Sequence, residues 1–158
     1  MRPARIPIGL QLTQASRTVS RAFDDALAAA GGSLPVWLVL VSLKSRSLAS
    51  QRELAEVMGI REATLTHHLT SMEAAGLISR RREAANRRVQ VVELTEAGEE
   101  MFGRLAGVAM SFDKKLRRGI PAADVAALED ILARLAGNVG PAAGDLRPWA
   151  GLADAGAG

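Results

Sequence analysis

The sequence predicts a mainly α-helical protein of the α+β class with one small antiparallel β-hairpin. Aromatic residues make up only 3% of the 158 residues and tyrosine is absent, so alanine and leucine must supply most of the packing. These two residue types are strong helix formers. Apolar residues recur at three- and four-residue spacing over most of the chain, and only residues 78–94 contain runs that alternate as strands do. With 48% hydrophobic residues, the chain can bury one sizeable core.

The chain is predicted to begin with an extended segment followed by two helices. Residues 1–9 contain two prolines and a glycine and are expected to be extended. Residues 10–30 form the first predicted helix, because apolar residues recur there at helical spacing. Residues 35–44 form the second, and since they are nearly all apolar we expect this helix to be buried on every side.

The longest uncharged run covers residues 26–43 and approaches the length of a membrane span. Two glycines, a serine and a proline interrupt it within residues 31–35, which indicates the end of one helix and the start of the next. The N-terminus also lacks the hydrophobic segment and cleavage site of a signal peptide. We therefore expect a cytoplasmic protein that does not cross a membrane.

The next two helices are predicted to be joined by a tight turn. Ser50 is a predicted N-cap with Glu53 as its capping-box partner, and Gly59 ends that helix in the left-handed region. Residues 61–75 form the following helix, which Gly76 ends in the same way. Two helices joined in this manner are typical of a helix-turn-helix, whose second helix enters the major groove of DNA.

The periodicity of residues 61–75 predicts which side of this helix is exposed. At 100° per residue, Leu65, Leu69 and Met72 lie within about 60° of one another and define the buried side. The opposite side carries small and polar side chains at Ala63, His67, Thr70 and Ala74, flanked by the hydroxyls of Thr64 and Thr66. A threonine there can offer DNA its hydroxyl or its methyl group, and a histidine can donate to guanine or to phosphate. The alternative is that this face is ordinary solvated surface.

Residues 78–82 and 89–94 are predicted to form two antiparallel strands of a basic hairpin. The arm 78–88 contains five arginines and one glutamate, a net charge of +4, whereas the whole chain carries only +3. Such a run alone is usually a solvated face, but beside a recognition helix it can reach phosphates or the minor groove. The candidate DNA-binding residues are Arg61, Ala63, Thr64, Thr66, His67, His68, Thr70, Arg81, Arg82, Arg87 and Arg88.

Two helices and a tail complete the chain. Thr95 is predicted to start a helix that runs to about residue 118, and Pro121 to open a last helix that runs to about residue 136. The Gly/Ala/Pro-rich remainder is expected to be partly mobile, although Leu146 and Trp149 can dock. Residues 34–94 cannot cover the apolar positions of the first and last helices, so we expect a homodimer.

The predicted domain organisation has four parts. They are an N-terminal arm and dimerisation helix (1–33), the DNA-binding region (34–94), the C-terminal dimerisation helices (95–137) and the tail (138–158).

Residues 34–105 resemble the MarR family of winged helix-turn-helix transcriptional regulators. The matching segments are LPVWLVLVSL, QRELAEVMGI, REATLTHHLTSMEAAGLISRR and NRRVQVVELTEAG. The resemblance implies a homodimer, built by the N- and C-terminal helices, that binds a pseudo-palindromic operator in double-stranded DNA and acts as a repressor. It also implies a small ligand, often a phenolic or aromatic acid, that binds between the dimerisation region and the DNA-binding region and weakens DNA binding.

The sequence departs from the family pattern at several positions. Arg88 stands where the family has the wing arginine of an Asp-x-Arg motif, but Asn86 replaces the aspartate. His67 stands where arginine is frequent, so the family's sequence preference does not carry over. The absence of cysteine excludes regulation by thiol oxidation, and the absence of tyrosine removes a common hydrogen-bond partner of the ligand.

Five residues are candidates for a ligand site: Ser16, Arg17 and Ser20 on the first helix, with Trp37 and Leu40 on the second. The Arg17 guanidinium can bind a carboxylate through two hydrogen bonds. The alternatives are that Trp37 packs in the core, which we favour, and that Arg17 is a surface residue or forms a salt bridge between subunits.

The sequence contains no motif for catalysis, metal binding or cofactor binding. It has two adjacent histidines and no cysteine, and it shows neither a nucleophile motif nor a phosphate-binding glycine loop. We therefore expect neither an enzyme nor a cofactor. The alternative to a DNA-binding regulator is a winged-helix adaptor that docks on proteins. Salt dependence separates the two, because phosphate contacts weaken steeply with salt.

Overall fold

The computed structural model describes residues 6–45 and 49–140, which form helices packed around a small antiparallel sheet. The elements are α1 (Ile8–Ala29), α2 (Leu34–Ser45), β1 (Ala49–Ser50), α3 (Gln51–Met58), α4 (Glu62–Ala74), β2 (Ile78–Arg82), β3 (Gln90–Leu94), α5 (Glu96–Leu116) and α6 (Ala122–Val139). The predicted mainly helical α+β fold is confirmed. Residues 1–5 and 141–158 lie outside the described residues, and with them most of the predicted tail, including Leu146 and Trp149.

Most predicted helix ends are confirmed to within three residues. The prediction of extended chain through residue 9 is wrong for its last two residues, since α1 begins at Ile8. The capping box of α3 is present: the Ser50 hydroxyl accepts from the Glu53 backbone N–H at 3.2 Å, and the Glu53 carboxylate accepts from the Ser50 N–H at 2.9 Å. Gly59 follows with φ of 64°, a left-handed conformation that costs glycine little.

The sheet has three strands in the order β1-β3-β2, and both pairings are antiparallel. The predicted hairpin forms between β2 and β3, with Ile78 opposite Leu94 and Arg82 opposite Gln90. β1 adds Ala49 opposite Val92, a strand that was not predicted. It has two residues, which is too short for an alternating pattern to be recognised in the sequence.

The core is centred on α2. The helix buries Trp37, Val39, Leu40, Val41 and Leu43, as expected for an apolar helix covered on every side. Every other helix except α6 adds buried side chains to this cluster, as do β2 and β3: Leu27, Leu54, Ala55, Leu65, Leu69, Met72, Ile78, Val92, Phe102 and Leu105. The Trp37 ring stacks on Phe102 of α5, with 5.8 Å between ring centroids and 15° between planes.

The N-terminal and C-terminal helices contribute little to this core. α1 buries only Leu27 of its 22 residues, and α6 buries none of its 18. Large apolar side chains are exposed on and beside α1, α5 and α6: Ile6, Ile8, Leu10, Leu12, Met110, Leu116, Ile120, Leu128, Ile131, Leu132 and Val139. Within the described ranges no single helix is long and apolar enough to span a membrane. α1 and α2 would meet that criterion only as a pair, and they are bent by 80° at the break between them.

α5 is joined to the end of α4 by a compact set of contacts. The Thr95 N–H donates to the Leu77 carbonyl at 3.1 Å, and the Thr95 hydroxyl donates to the Gly76 carbonyl at 2.6 Å. The same hydroxyl oxygen accepts from the Gly98 N–H at 3.1 Å. A Cβ at residue 98 would collide with the Leu77 carbonyl oxygen, so this approach requires glycine. The start of α5 is thereby fixed against the turn between α4 and β2.

Candidate nucleic-acid interface

α4 exposes the face that the sequence predicts. Leu65, Leu69 and Met72 are buried in the core, which confirms the predicted inner side. The outer residues Ala63, Thr64, Thr66, His67, Thr70 and Ala74 are all exposed, as is Arg61 at the helix N-cap. His68 is half-buried and its ring is tilted 60° from that of His67, with 6.0 Å between centroids. His67 is therefore the imidazole that faces solvent.

Two threonines on this face have hydroxyl groups that are already hydrogen-bonded. The Thr66 hydroxyl donates to the Glu62 carbonyl at 2.8 Å and accepts from the side-chain amide of Gln51. The Thr70 hydroxyl donates to the Thr66 carbonyl at 2.8 Å and accepts from Arg80 at 3.4 Å. Each hydroxyl has one proton to donate, and in both residues it is hydrogen-bonded to a carbonyl of the helix backbone.

Arg80 connects the hairpin to α4 instead of extending into solvent. Its Nε donates to a Glu73 carboxylate oxygen at 2.8 Å, and Nη2 contacts the same oxygen. The Arg80 side chain is only 15% exposed. The hydrogen bond from Arg80, followed by its charge, lowers the pKa of Glu73 below its ordinary value. This ion pair fixes β2 against the C-terminal half of α4.

Arg81 is also paired, in this case across the sheet. Its Nη2 and Nε donate to the two carboxylate oxygens of Glu93 at 3.0 and 3.2 Å. Residue 93 stands opposite Ser79, so the pair is a diagonal cross-strand contact. The hydrogen bond lowers the pKa of Glu93 and raises that of Arg81. Arg81, a predicted DNA contact, would have to leave or share this partner to bind a phosphate.

The predicted positive charge of the hairpin is therefore partly compensated. The net charge of +4 counted for residues 78–88 omits Glu73 and Glu93, which lie outside that arm and pair with two of its five arginines. Arg82, Arg87 and Arg88 are exposed, and none of them forms a salt bridge with the described part of the chain. These three arginines, here called the wing arginines, constitute the uncompensated part of the basic patch.

Asn86 shapes the turn that carries two of the wing arginines. Its side-chain oxygen accepts from the Arg88 backbone N–H at 3.2 Å, and its carbonyl accepts from the Val89 N–H at 2.9 Å. An asparagine oxygen bonded to the backbone two residues later is an Asx turn. The amide thus retains the local hydrogen bond to the turn but lacks the charge of an aspartate.

The five predicted ligand-binding residues occupy two different environments. Trp37 and Leu40 are fully buried, whereas Ser16, Arg17 and Ser20 are exposed on α1. An open cavity of about 740 Å³ lies beside the N-terminal turns of α1, and other residues line it: Ile6, Gln11, Gln14, Ala15, Thr18 and Val19. The described part of the chain also contains no group of three histidine or acidic side chains placed to hold a metal ion.

These features define the class of the protein as a winged helix-turn-helix. α3 and α4 are the two helices of the motif, α4 stands at the position of the recognition helix, and the β2–β3 hairpin with the wing arginines is the wing. Comparison with protein families makes the assignment more specific, because residues 33–89 match the model of the MarR family. This part of the chain is therefore similar to the MarR family of winged helix-turn-helix transcriptional regulators.

A curated relative and several solved structures resemble the chain. It is 32% identical over 90 residues to the uncharacterised HTH-type transcriptional regulator YdgJ of Bacillus subtilis (strain 168). The match covers 57% of this chain and 55% of YdgJ, so the chain spans about half the length of that relative. MarR from E. coli in complex with operator DNA has a TM-score of 0.76 at 21% identity, covering 82% of this chain and 94% of that one.

Two further structures have the same fold. A MarR-family regulator from Rhodococcus sp. RHA1 has a TM-score of 0.74 at 23% identity, covering 86% of this chain and 96% of that one. BpsR of Bordetella bronchiseptica, whose DNA binding is regulated by 6-hydroxynicotinic acid, has a TM-score of 0.73 at 19% identity. That match covers 82% of this chain and 98% of BpsR. At these identities the similarity establishes the fold.

Proposed function

We propose that this protein is a sequence-specific transcriptional repressor that binds a pseudo-palindromic operator as a homodimer. One observation carries the proposal: the exposed face of α4 lies next to a hairpin with three arginines that have no carboxylate partner among the described residues. A recognition helix in the major groove and a basic wing on the flanking backbone would use both surfaces together.

The wing arginines predict how binding should respond to salt. In a dimer, three on each protomer supply about six phosphate contacts, so log K should fall with log salt with a slope of about −5. Arg81, and Arg61 at the start of α4, would steepen this slope if they also bind phosphates. A protein-docking adaptor would bind through apolar contacts, and its affinity would change little with salt.

The homodimer is inferred from the exposed apolar faces of α1, α5 and α6. Side chains such as Leu10, Leu128 and Ile131 are each about half or more exposed in the single chain. A two-fold interface that includes them would present two copies of α4, which can bind successive major grooves about 34 Å apart. Light scattering should give twice the mass of the chain at micromolar concentration, and a stable monomer there would exclude this part of the proposal.

Release by a small aromatic or phenolic ligand is part of the proposal, supported by the regulation of BpsR by 6-hydroxynicotinic acid. Among the five candidate residues, the exposed Arg17 is best suited to bind a carboxylate, with Ser16 and Ser20 beside it on α1. Trp37 and Leu40 would reach a ligand only if the packing of α2 opened, because both are fully buried.

Selection of bound fragments from genomic DNA by the purified protein tests the central claim. We expect one enriched pseudo-palindrome and a steep loss of affinity with salt. A variant with glutamine at Arg82, Arg87 and Arg88 should bind this operator much more weakly. The matched control places glutamine at Lys114, Lys115 and Arg118, at and just beyond the C-terminal end of α5, where Lys114 is about 27 Å along the helix from its first residue. Equal affinities of the two variants, or no enriched sequence, would contradict the proposal.

A further inference from the structure

We propose that α4 recognises thymine through the methyl groups of Thr66 and Thr70, and that the hydroxyl groups of these residues take no part in base recognition. The inference rests on the proposed DNA-binding function and specifies the chemistry of its recognition surface. It separates the two ways in which a threonine can contact a base edge: by hydrogen bonding, or by apolar contact with the 5-methyl group of thymine.

The hydroxyl protons are not free to bond with DNA. Thr66 donates its proton to the Glu62 carbonyl and Thr70 donates its proton to the Thr66 carbonyl, both at 2.8 Å. Guanine O6 and N7, adenine N7, thymine O4 and the phosphate oxygens are all acceptors that require a donor. A threonine bonded in this way could donate to one of them only by giving up its bond to the helix backbone.

Each hydroxyl oxygen also already accepts one hydrogen bond from the protein. The side-chain amide of Gln51, at the first residue of α3, donates to Thr66. Arg80, held in place by Glu73, lies 3.4 Å from the Thr70 oxygen. The amino groups of adenine and cytosine would therefore approach oxygens that already receive a donor from the protein.

The methyl groups remain available, since both residues are exposed and their hydroxyls bond to their own helix. At 100° per residue, Ala63, Thr66, Thr70 and Ala74 lie within about 80° of arc, so four methyl groups form one apolar stripe. We call it the methyl stripe. His67 lies along one edge of it as a polar side chain. In the major groove the apolar group that such a stripe fits is the 5-methyl of thymine.

The methyl stripe predicts A·T pairs at defined positions of each half-site, with thymine on the strand that faces Thr66 and Thr70. Removing one methyl from such a contact should weaken binding about fourfold, the effect of burying one methyl-sized group. Because the operator is symmetric, removing the same methyl in both half-sites should weaken binding about fifteenfold.

The test uses the operator selected by the wild-type protein and copies in which deoxyuridine replaces thymidine at one symmetric pair of positions at a time. Uracil keeps every hydrogen-bonding group of thymine and lacks only the 5-methyl. We expect at least one pair of positions at which uracil lowers the affinity of the wild-type protein for the operator about fifteenfold. At the same positions, an operator with 5-methylcytosine opposite guanine should be bound more tightly than one with cytosine opposite guanine.

Matched variants then assign the effect to the threonines. Thr66→Ser with Thr70→Ser keeps both hydroxyls and removes both methyls, so this protein should bind thymine and uracil operators equally. Thr66→Val with Thr70→Val keeps the methyls, so this protein should still bind the thymine operator more tightly than the uracil operator. Unfolding midpoints equal to wild type establish that each variant is folded. Discrimination between thymine and uracil operators by the serine variant but not by the valine variant would overturn this inference alone. Equal wild-type affinity for thymine and uracil at every position of a specific operator would do the same. Failure to select any sequence would overturn the proposed function and this inference with it.

Discussion

Substituting Gly98 with alanine should destabilise the protein, although alanine normally favours a helix. The new Cβ would lie well inside 3.0 Å of the Leu77 carbonyl oxygen, whereas ordinary contacts begin near 3.4 Å. It would also lie 3.1 Å from the Leu77 carbonyl carbon and 3.3 Å from Leu94 Cδ2. The obstructing atom belongs to the backbone and accepts a hydrogen bond from the Thr95 N–H. It therefore cannot move aside as the end of a flexible side chain could.

The magnitude follows from three contributions to the free energy of unfolding. Overpacking typically costs about 1–3 kcal/mol. Loss of the bond from the Gly98 N–H to the Thr95 cap would cost about 1 kcal/mol more. Replacing a helical glycine with alanine returns about 1 kcal/mol through helix propensity. The net loss should be about 1–3 kcal/mol, which lowers Tm by about 3–10 °C for a chain of this size.

Urea unfolding monitored by circular dichroism would measure this loss. The control is Gly103→Ala on the same helix, where a Cβ would have no neighbour within 4 Å. That variant should be as stable as wild type or more stable by up to about 1 kcal/mol. If Gly98→Ala matched Gly103→Ala, the close packing of α5 on the turn before β2 would not be a real constraint.

Three further outcomes follow from the interface. Arg88→Ala should weaken binding by about 1–3 kcal/mol, equally for operator and random DNA if Arg88 binds phosphate, and unchanged affinity for both would remove the wing from the interface. Because Arg80 lowers the pKa of Glu73, their contact should stabilise the fold at pH values above 4.5, the ordinary pKa of a glutamate, and this stabilisation should be lost as pH falls through the lowered pKa. The urea midpoint should therefore fall less in Glu73→Gln than in wild type between pH 5 and about pH 3. His67→Ala should change base preference within a half-site in a binding-site selection, whereas His68→Ala should chiefly disturb packing or backbone contacts; unaltered preference in His67→Ala would show that this imidazole is only solvated surface.

Local sequence signals were sufficient for most of the fold. The Ser50 capping box and the left-handed Gly59 depend on residues within a few positions of one another, so the pattern determines them directly. The buried side of α4 followed from the spacing of Leu65 and Leu69 for the same reason. The strand at Ala49 escaped prediction because its two residues have no periodicity, and only pairing with β3 makes them a strand.

The charges of the candidate site were harder to predict because their partners are distant in sequence. Glu73 lies seven residues before Arg80, and Glu93 lies twelve after Arg81. Only the packing of β2 against α4 and the register of the hairpin bring these groups together. The hydrogen bond from Gln51 to the Thr66 hydroxyl joins residues fifteen positions apart, so its prediction would also need the packing of α3 against α4.

The stack of Trp37 on Phe102 has a practical consequence for spectroscopy. The chain has two tryptophans, Trp37 and Trp149, and no tyrosine, so ultraviolet emission comes almost entirely from these two indoles. Replacing Trp149 with phenylalanine would leave a single emitter at the contact between α2 and α5. Because that indole is shielded from water, its emission should shift to longer wavelengths when the two helices separate. Such a variant would report the opening of this contact directly, even when the helix content of the protein is unchanged.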